Sequence, residues 1–386
     1  MLEAVDCSQL KESHFMSCFG DLEDTRDPVR VRYPVPEILF LVICSVVSGY
    51  ESNRGIEDFG KLKLDWLRHY FPYKHGIPTH ETIGNIIGLI DKHAFELAFL
   101  SWVELEFGMA ASQLIHIDGK RIIGSVDKEL QYKAPSQGGD HAEMIMNAYA
   151  SDTNLVVAQV NVSDTWDEKR GAKQIIDQLH LKGKTITGDG NFCVKEILQR
   201  IRKKQGHYLM TLKGNQPILR HLAERYFGQV WIERSTCYTE DKGHGRIEKR
   251  TYQCIDVRSS KDEKLKEYEG LCKIVKVRRI RKVLRKNKSS DETHYYITSL
   301  DKKVEDLAGM IRSHWRIENN LHWVLDVEFL EDASRKRTGN QASNFSLIRK
   351  VVLNLINKNR GSKSLKAIRM ACALSDEARH NILGFP

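Results

Sequence analysis

The sequence predicts an α/β protein in which a mixed sheet carries a β-rich insertion and follows an all-helical region. Three patterns support this. Residues 1–110 show helical spacing, residues 111–227 interleave short apolar strands with amphipathic helices, and residues 228–300 alternate apolar with charged side chains. Strands that come first in hairpins and later alternate with helices mark a mixed sheet. Residues 301–386 return to helical periodicity and complete the core. With 41% hydrophobic and 29% charged residues, the 386-residue chain reads as globular, enough for one large or two to three ordinary domains.

In the helical region, Pro34 and Pro36 start a helix holding the apolar run Ile38–Val47, and Gly49 lies near its end. That run is far short of the roughly 20 residues needed to span a bilayer, so it reads as a buried helix. A second helix is predicted over 55–71, with Ile56, Phe59, Leu62, Trp66 and Leu67 as its apolar stripe. Pro78-Thr79 opens another over 81–90, and a helix over 91–107 follows after little or no loop. Short helices in tight succession suit either a helix-turn-helix-like module or a packing cap on the next domain.

The core region opens with Leu114-Ile-His-Ile-Asp118-Gly119, where an apolar strand delivers a carboxylate at its end. Met144–Ala150 and Leu155–Val162 read as a hairpin, followed by a helix over 171–181. Lys184–Gly190 is a second strand that delivers Asp189 between two glycines. A helix follows to Lys204, with Val194, Ile197, Leu198 and Ile201 on one face. His207–Leu212 closes the series as a buried strand, and Lys213-Gly-Asn215-Gln leaves it as a polar loop able to contact phosphate or simply to turn. Residues 132–139 read as a mobile loop near the first acid.

In the insertion, residues 238–257 and 273–284 alternate, and 295–300 form a further strand. Lys273–Lys288 is the most basic run of the chain. Such runs are usually solvated faces, but the alternation here sets Lys276, Arg278 and Lys282 on one stripe. His244-Gly-Arg246 marks a strand tip. A helix is expected over 306–326, with Leu307, Ile311, Trp315, Leu321 and Leu325 on its apolar face and Glu318 near the middle of that face. His314 and His322 lie four residues to either side of Glu318. Glu331-Asp332 begins an acidic turn, residues 345–357 form a buried helix, and 358–369 add a positively charged tail.

A single acid at a strand end is commonly a turn cap, and a lone Glu beside two histidines is commonly hydrogen-bonded to them. Three acids in such settings point instead to one site. At roughly 5 Å and an effective dielectric near 20, each carboxylate pair repels by about 3 kcal/mol. The trio would therefore take up protons or divalent cations, and oxygen-only ligands suit Mg²⁺ or Mn²⁺. Two such ions can clamp the attacking and leaving oxygens of a phosphoryl transfer. Asp326, Glu331 and Asp332 are reserve candidates for the third ligand. A rival metal site made of His314, Glu318 and His322 is disfavoured, because partners at i−4 and i+4 on one regular helix do not readily meet.

The net charge of +9 points to a polyanionic partner, nucleic acid before membrane. Eight cysteines without a CxxC pair read as reduced thiols of a cytoplasmic protein. The first residues lack the basic and apolar regions of a secretory signal.

The motifs IHIDGKRIIGS, ITGDGNFCVKEI, YLMTLKGNQ, GHGRIEKR, SHWRIENNLHWVLDVEFLEDASR and GN…SLIRKVVLNLI occur in this order along nearly the whole chain. In this the sequence resembles the H-repeat-associated proteins, DDE transposases of insertion-sequence type. The resemblance implies an RNase H-like core interrupted by the β-rich insertion, and a transposase-associated N-terminal domain. It also implies a triad of Asp118, Asp189 and Glu318 that binds two Mg²⁺ ions and cuts and joins double-stranded DNA. Because paired ends are cut together, a homodimer on that DNA is expected. The DNA contacts expected are Lys120, Arg121, Lys213, Asn215, His244, Arg246, Lys276, Arg278, Lys282, His314, Trp315 and Asn319. The chain departs from these relatives at Gly190-Asn191, where Ala-Met or Ala-Leu is usual. It also departs at 164–168, and at Ile311 and His314, where the broader superfamily has Tyr and Arg. Two other readings keep the fold, a DNA-binding remnant without catalysis and a nuclease that does not join strands.

Overall fold

The computed structural model describes residues 13–108, 113–126, 142–163, 167–243, 245–284 and 288–384. The loop expected at 132–139 and His244 lie outside these residues. The helical region comprises α1 (His14–Phe19), α2 (Val35–Val47), α3 (Asn53–Leu62), α4 (Leu64–Leu67), α5 (His80–Leu89) and α6 (Lys92–Phe107). Side-chain caps from Ser52, Thr79 and Asp91 start α3, α5 and α6, each accepting from a backbone N–H of the first turn. The single helix expected over 55–71 breaks at Lys63. Spacing by three drifts 60° per step around a helix, so Leu62 leaves the stripe of Ile56 and is 76% exposed.

The core then runs β1 (Leu114–Ile122), β2 (Glu143–Ala150), β3 (Leu155–Asn161), α7 (Glu168–Gln178), β4 (Thr185–Gly188), α8 (Lys195–Lys203), β5 (His207–Leu212) and α9 (Pro217–Gly228). The insertion follows as β6 (Ser235–Gly243), β7 (Arg246–Asp256), α10 (Glu263–Lys266), β8 (Lys273–Val283) and β9 (Lys288–Thr298). All of these strands form one nine-stranded sheet in the order β3-β2-β1-β4-β5-β9-β8-β7-β6. β1, β4 and β5 are parallel, while β2 and β3 run antiparallel on one flank. That five-strand order is the RNase H-like arrangement. β9 joins antiparallel to β5 through Leu209↔Thr298 to Leu212↔Tyr295, so the insertion lengthens the core sheet rather than standing apart from it.

Three strand boundaries differ from the sequence expectation, the first being β1, which runs past Gly119 to Ile122 because that half stays paired to β2. The alternation over 238–257 is a hairpin, turning at Gly245 with φ +71°. β9 starts at Lys288 instead of Tyr295, because its polar half is held by the ladder to β8 and by ion pairs such as Arg278–Asp291 at 2.6 Å. With one face open to solvent, such a strand needs no apolar residues.

The chain ends with α11 (Val304–Ser313), α12 (Trp315–Ile317), a π turn over Glu318–His322, α13 (Trp323–Val327), α14 (Gln341–Asn359), α15 (Leu365–Leu374) and α16 (Asp376–Leu383). The continuous helix expected over 306–326 is therefore interrupted twice. α14 is buried from Gln341 to Ile356 and packs between β2 and β3 on one side and α2, α5, α6 and α16 on the other. It seats the helical region on the sheet, with Asn344 Nδ2 donating to the carbonyls of Ile87 and Ile90 at 2.8 and 2.9 Å. The cysteines of the described residues form no disulfide.

After β1 the backbone makes a short turn, Ile123–Ser125, against the turn at 332–334. A Cβ on Gly124 would lie 2.2 Å from the Ser334 carbonyl oxygen and 2.6 Å from that of Asp332. Neither backbone can easily retreat. Gly124→Ala should therefore destabilise the protein by about 1–3 kcal/mol, read as a lower denaturation midpoint with an unchanged slope.

Candidate active site

The parallel pairing of β1 and β4 ends at Ile117 against Gly188, so Asp118, midway along β1 and still paired to β2, and Asp189, just past the end of β4, are the next residues beyond that pairing. Catalytic groups gather at such points in open sheets. Glu318 reaches them from above on the π turn. The Asp118 and Glu318 carboxyls crowd each other, and His322 Nδ1 lies 3.4 Å from Glu318 Oε2 and 3.8 Å from Asp118 Oδ2. One ligand atom from each of these three residues falls within 4.8 Å of the others. Asp189 lies outside that group but lines the same cleft.

Burial first, and then the Glu318 charge, push the Asp118 carboxyl well above its ordinary range. Glu318, 51% exposed and hydrogen-bonded to His322, is held below its own. Asp189 has a different environment. Its Oδ1 accepts from Asn191 N at 2.7 Å, and its Oδ2 accepts from Lys213 Nζ at 2.6 Å. Asn215 Nδ2 donates to the Gly190 carbonyl at 2.8 Å. The loop after β5 therefore braces the second acid. A Cβ at residue 190 would meet the Lys213 Cβ at 2.6 Å, which gives the glycine there a local reason.

His314 is half-buried and lines the same cleft, but its ring is held toward the sheet. Its Nδ1 lies 2.9 Å from Thr187 Oγ1, which is also 2.5 Å from His116 Nδ1. Burial holds both imidazoles below their ordinary pKa, that of His116 at about 3. These contacts pull the chain onto the sheet where α11 gives way to α12. Trp315, expected on the apolar face, is instead 58% exposed and lines the cleft with Asn319. The break in the helix turns it outward.

The cleft has a volume of about 820 Å³. The acids, Lys213, Trp315 and Asn319 form one side, and Arg246, Arg250, Arg279 and Arg281 of β7 and β8 form the other, with Arg312 of α11. Glu248 links this wall, pairing with Arg246 at 2.9 Å and also with Arg250. The predicted Arg246 is on the wall, but the predicted stripe of Lys276, Arg278 and Lys282 is on the other face of the sheet. Odd positions of β8 face the cleft, with Val275 and Val277 packed in the same cluster as Leu307 and Ile311 of α11. Even positions face α9, with Lys276 Nζ 5.9 Å from the Phe227 ring. Strand parity decides between the two faces, and Arg278-Arg279 supplies a cation to each.

Lys120 is also corrected. It is buried, with its ammonium 2.7 Å from Asp326, 3.2 Å from Asp332 and 3.9 Å from Glu331. The three reserve acids thus surround Lys120 instead of joining the triad, and Lys120 is not available to a phosphate. Arg121 is exposed on the opposite face of β1 from Asp118. Sequence reasoning missed Arg250, Arg279, Arg281 and Arg312 as cleft residues, and gave His322 no place beside Asp118. Its four-residue spacing from Glu318 was the available signal.

Comparison with known proteins agrees with this architecture. Residues 112–355 match the Transposase DDE domain family, and residues 16–103 match the DDE_Tnp_1-associated domain. The chain is 34% identical over 340 residues to "Putative transposase YncI" of Escherichia coli O157:H7, covering 87% of this chain and 85% of that one. It is 32% identical over 360 residues to "H repeat-associated putative transposase YhhI" of Escherichia coli K12, covering 92% and 93%. A piggyBac transposase synaptic complex with hairpin DNA aligns over 100% of this chain and 81% of its own, at TM-score 0.42 and 10% identity, too distant to build on. By its sequence matches, this chain belongs to the DDE transposases, in the H-repeat-associated group.

Proposed function

We propose that the chain cuts and rejoins double-stranded DNA at the ends of an insertion element, with Asp118, Asp189 and Glu318 as the catalytic acids. The observation that carries this is one cleft in which the three acids face a wall of arginines. The crowded carboxylates of Asp118 and Glu318 are a donor set suited to a hard divalent cation, Mg²⁺ with Mn²⁺ as a substitute. Bound ions would activate the attacking oxygen and stabilise the leaving one. Lys213 holds Asp189 in place, the arginine wall binds the phosphate backbone, and Trp315 and Asn319 shape the DNA end. Cutting two element ends together requires two catalytic chains, so a homodimer forms on DNA. Among the described residues no helix is long and apolar enough to cross a membrane.

The test is incubation of the protein with DNA carrying the element's terminal repeats and a target plasmid, in Mg²⁺. Nicks at the repeat ends followed by joined products support the reading. Nicks without joining leave a nuclease, and DNA binding without nicks leaves an inactive remnant. Binding also separates the two faces of β8. Arg279→Ala and Arg281→Ala should each lower the slope of log affinity against log salt by about 0.9, while changing Lys276, Arg278 and Lys282 together leaves it unchanged.

A further inference from the structure

We propose that His322 supplies a ring-nitrogen ligand to the ion held by Asp118 and Glu318, making this a mixed nitrogen–oxygen centre that prefers Mn²⁺ to Mg²⁺. The inference rests on the metal-dependent reading above and concerns which atoms hold the ion.

Side chains four apart on a regular α-helix are offset by about 40° around its axis. The extra residue in the π turn Glu318–His322 brings the two ends of this turn nearly into line, and such turns recur at functional sites. In consequence His322 Nδ1 faces both carboxylates, 3.4 Å from Glu318 and 3.8 Å from Asp118. The side chain is only 8% exposed, and among the described residues its Nε2 meets no hydrogen-bond partner. Its one polar direction is toward the acids.

A second observation concerns the opposite side of Asp118. Asn147 pairs with Asp118 across the β1–β2 ladder, so their side chains share a face. Asn147 is completely buried, yet among the described residues neither its Oδ1 nor its Nδ2 has a hydrogen-bond partner. An amide in that position is costly unless something polar sits beside it, and a hydrated cation between Asp118 and His322 would satisfy it. His314, the other histidine four residues from Glu318, is bound to Thr187 and does not contribute. Imidazole nitrogen is a better ligand for transition ions than for Mg²⁺, which takes oxygen almost exclusively.

The experiment uses the whole protein without DNA and reads Mn²⁺ by electron spin resonance. The wild type should show spin-echo modulation from a directly bound ¹⁴N, and His322→Asn should abolish it. The same variant should lose Mn²⁺ affinity by at least about tenfold, while its Mg²⁺ affinity, measured by competition, falls less than about threefold. Bound Mn²⁺ without nitrogen modulation in the wild type overturns the proposal, and so does a variant with unchanged preference. The wild-type spectrum decides the question even if the variant does not fold. Asp118→Asn distinguishes this failure from that of the underlying reading. If it loses both ions while His322→Asn loses neither, only the histidine ligand is wrong. If it binds both ions like the wild type, the acid site itself is wrong.

Discussion

Asp118→Asn should lower Mg²⁺-dependent strand cleavage by about a thousandfold or more, while salt-sensitive DNA binding stays within about threefold of wild type. The amide keeps the size of the side chain and the bond from Gly119 N to Oδ1, which is 2.9 Å long. It removes the charge from the most enclosed of the three acids, the one with Glu318 and His322 both beside it. The arginine wall is on other strands and is untouched. Relieving the repulsion between Asp118 and Glu318 also predicts a melting temperature equal to or above that of the wild type. Gel assays of nicking and filter binding at two salt concentrations check these expectations, and undiminished cleavage would remove Asp118 from the mechanism.

Lys120→Met should destabilise the protein by about 3–5 kcal/mol, the usual cost of stranding buried charge. Methionine fills the same space but leaves Asp326, Glu331 and Asp332 without the ammonium they surround. Glu331 suffers most, because it is only 1% exposed, although the Arg349 guanidinium 3.7 Å away and the Lys350 ammonium still support its charge. Chemical denaturation measures the loss. Adding Glu331→Gln should recover part of it, since the amide carries no charge to strand. A loss under about 1 kcal/mol would mean that the cluster is solvated or protonated in the native state.

The catalytic face was legible where local chemistry determines structure. The apolar runs before Asp118 and Asp189 read directly as strands, but the stop expected at Gly119 does not occur, because pairing with β2 carries β1 on to Ile122. Parity in β8 was not legible, because Ile274 and Val275 are equally apolar and only packing against α9 or α11 decides which face each takes. The fate of Lys120 was hidden for a related reason. Its partners lie more than two hundred positions later in the chain, and strand periodicity says nothing about them. The break before Trp315 depends on His314 reaching Thr187, another distant contact. Helical spacing was sufficient to put Glu318 near the site, but not to foresee a π turn that would bring His322 with it.

The junction between β5 and β9 has a mechanical consequence. Because the strands bearing the arginines are hydrogen-bonded into the sheet that bears Asp118 and Asp189, the spacing between grip and blade is set by ladder geometry, with no hinge between them. The segment from α11 to α13 is tied to the same sheet, because Leu307 and Ile311 of α11 pack with Val275 and Val277 of β8. It carries Glu318 on its second irregular turn, so the overhead acid shares one footing with both sides of the cleft.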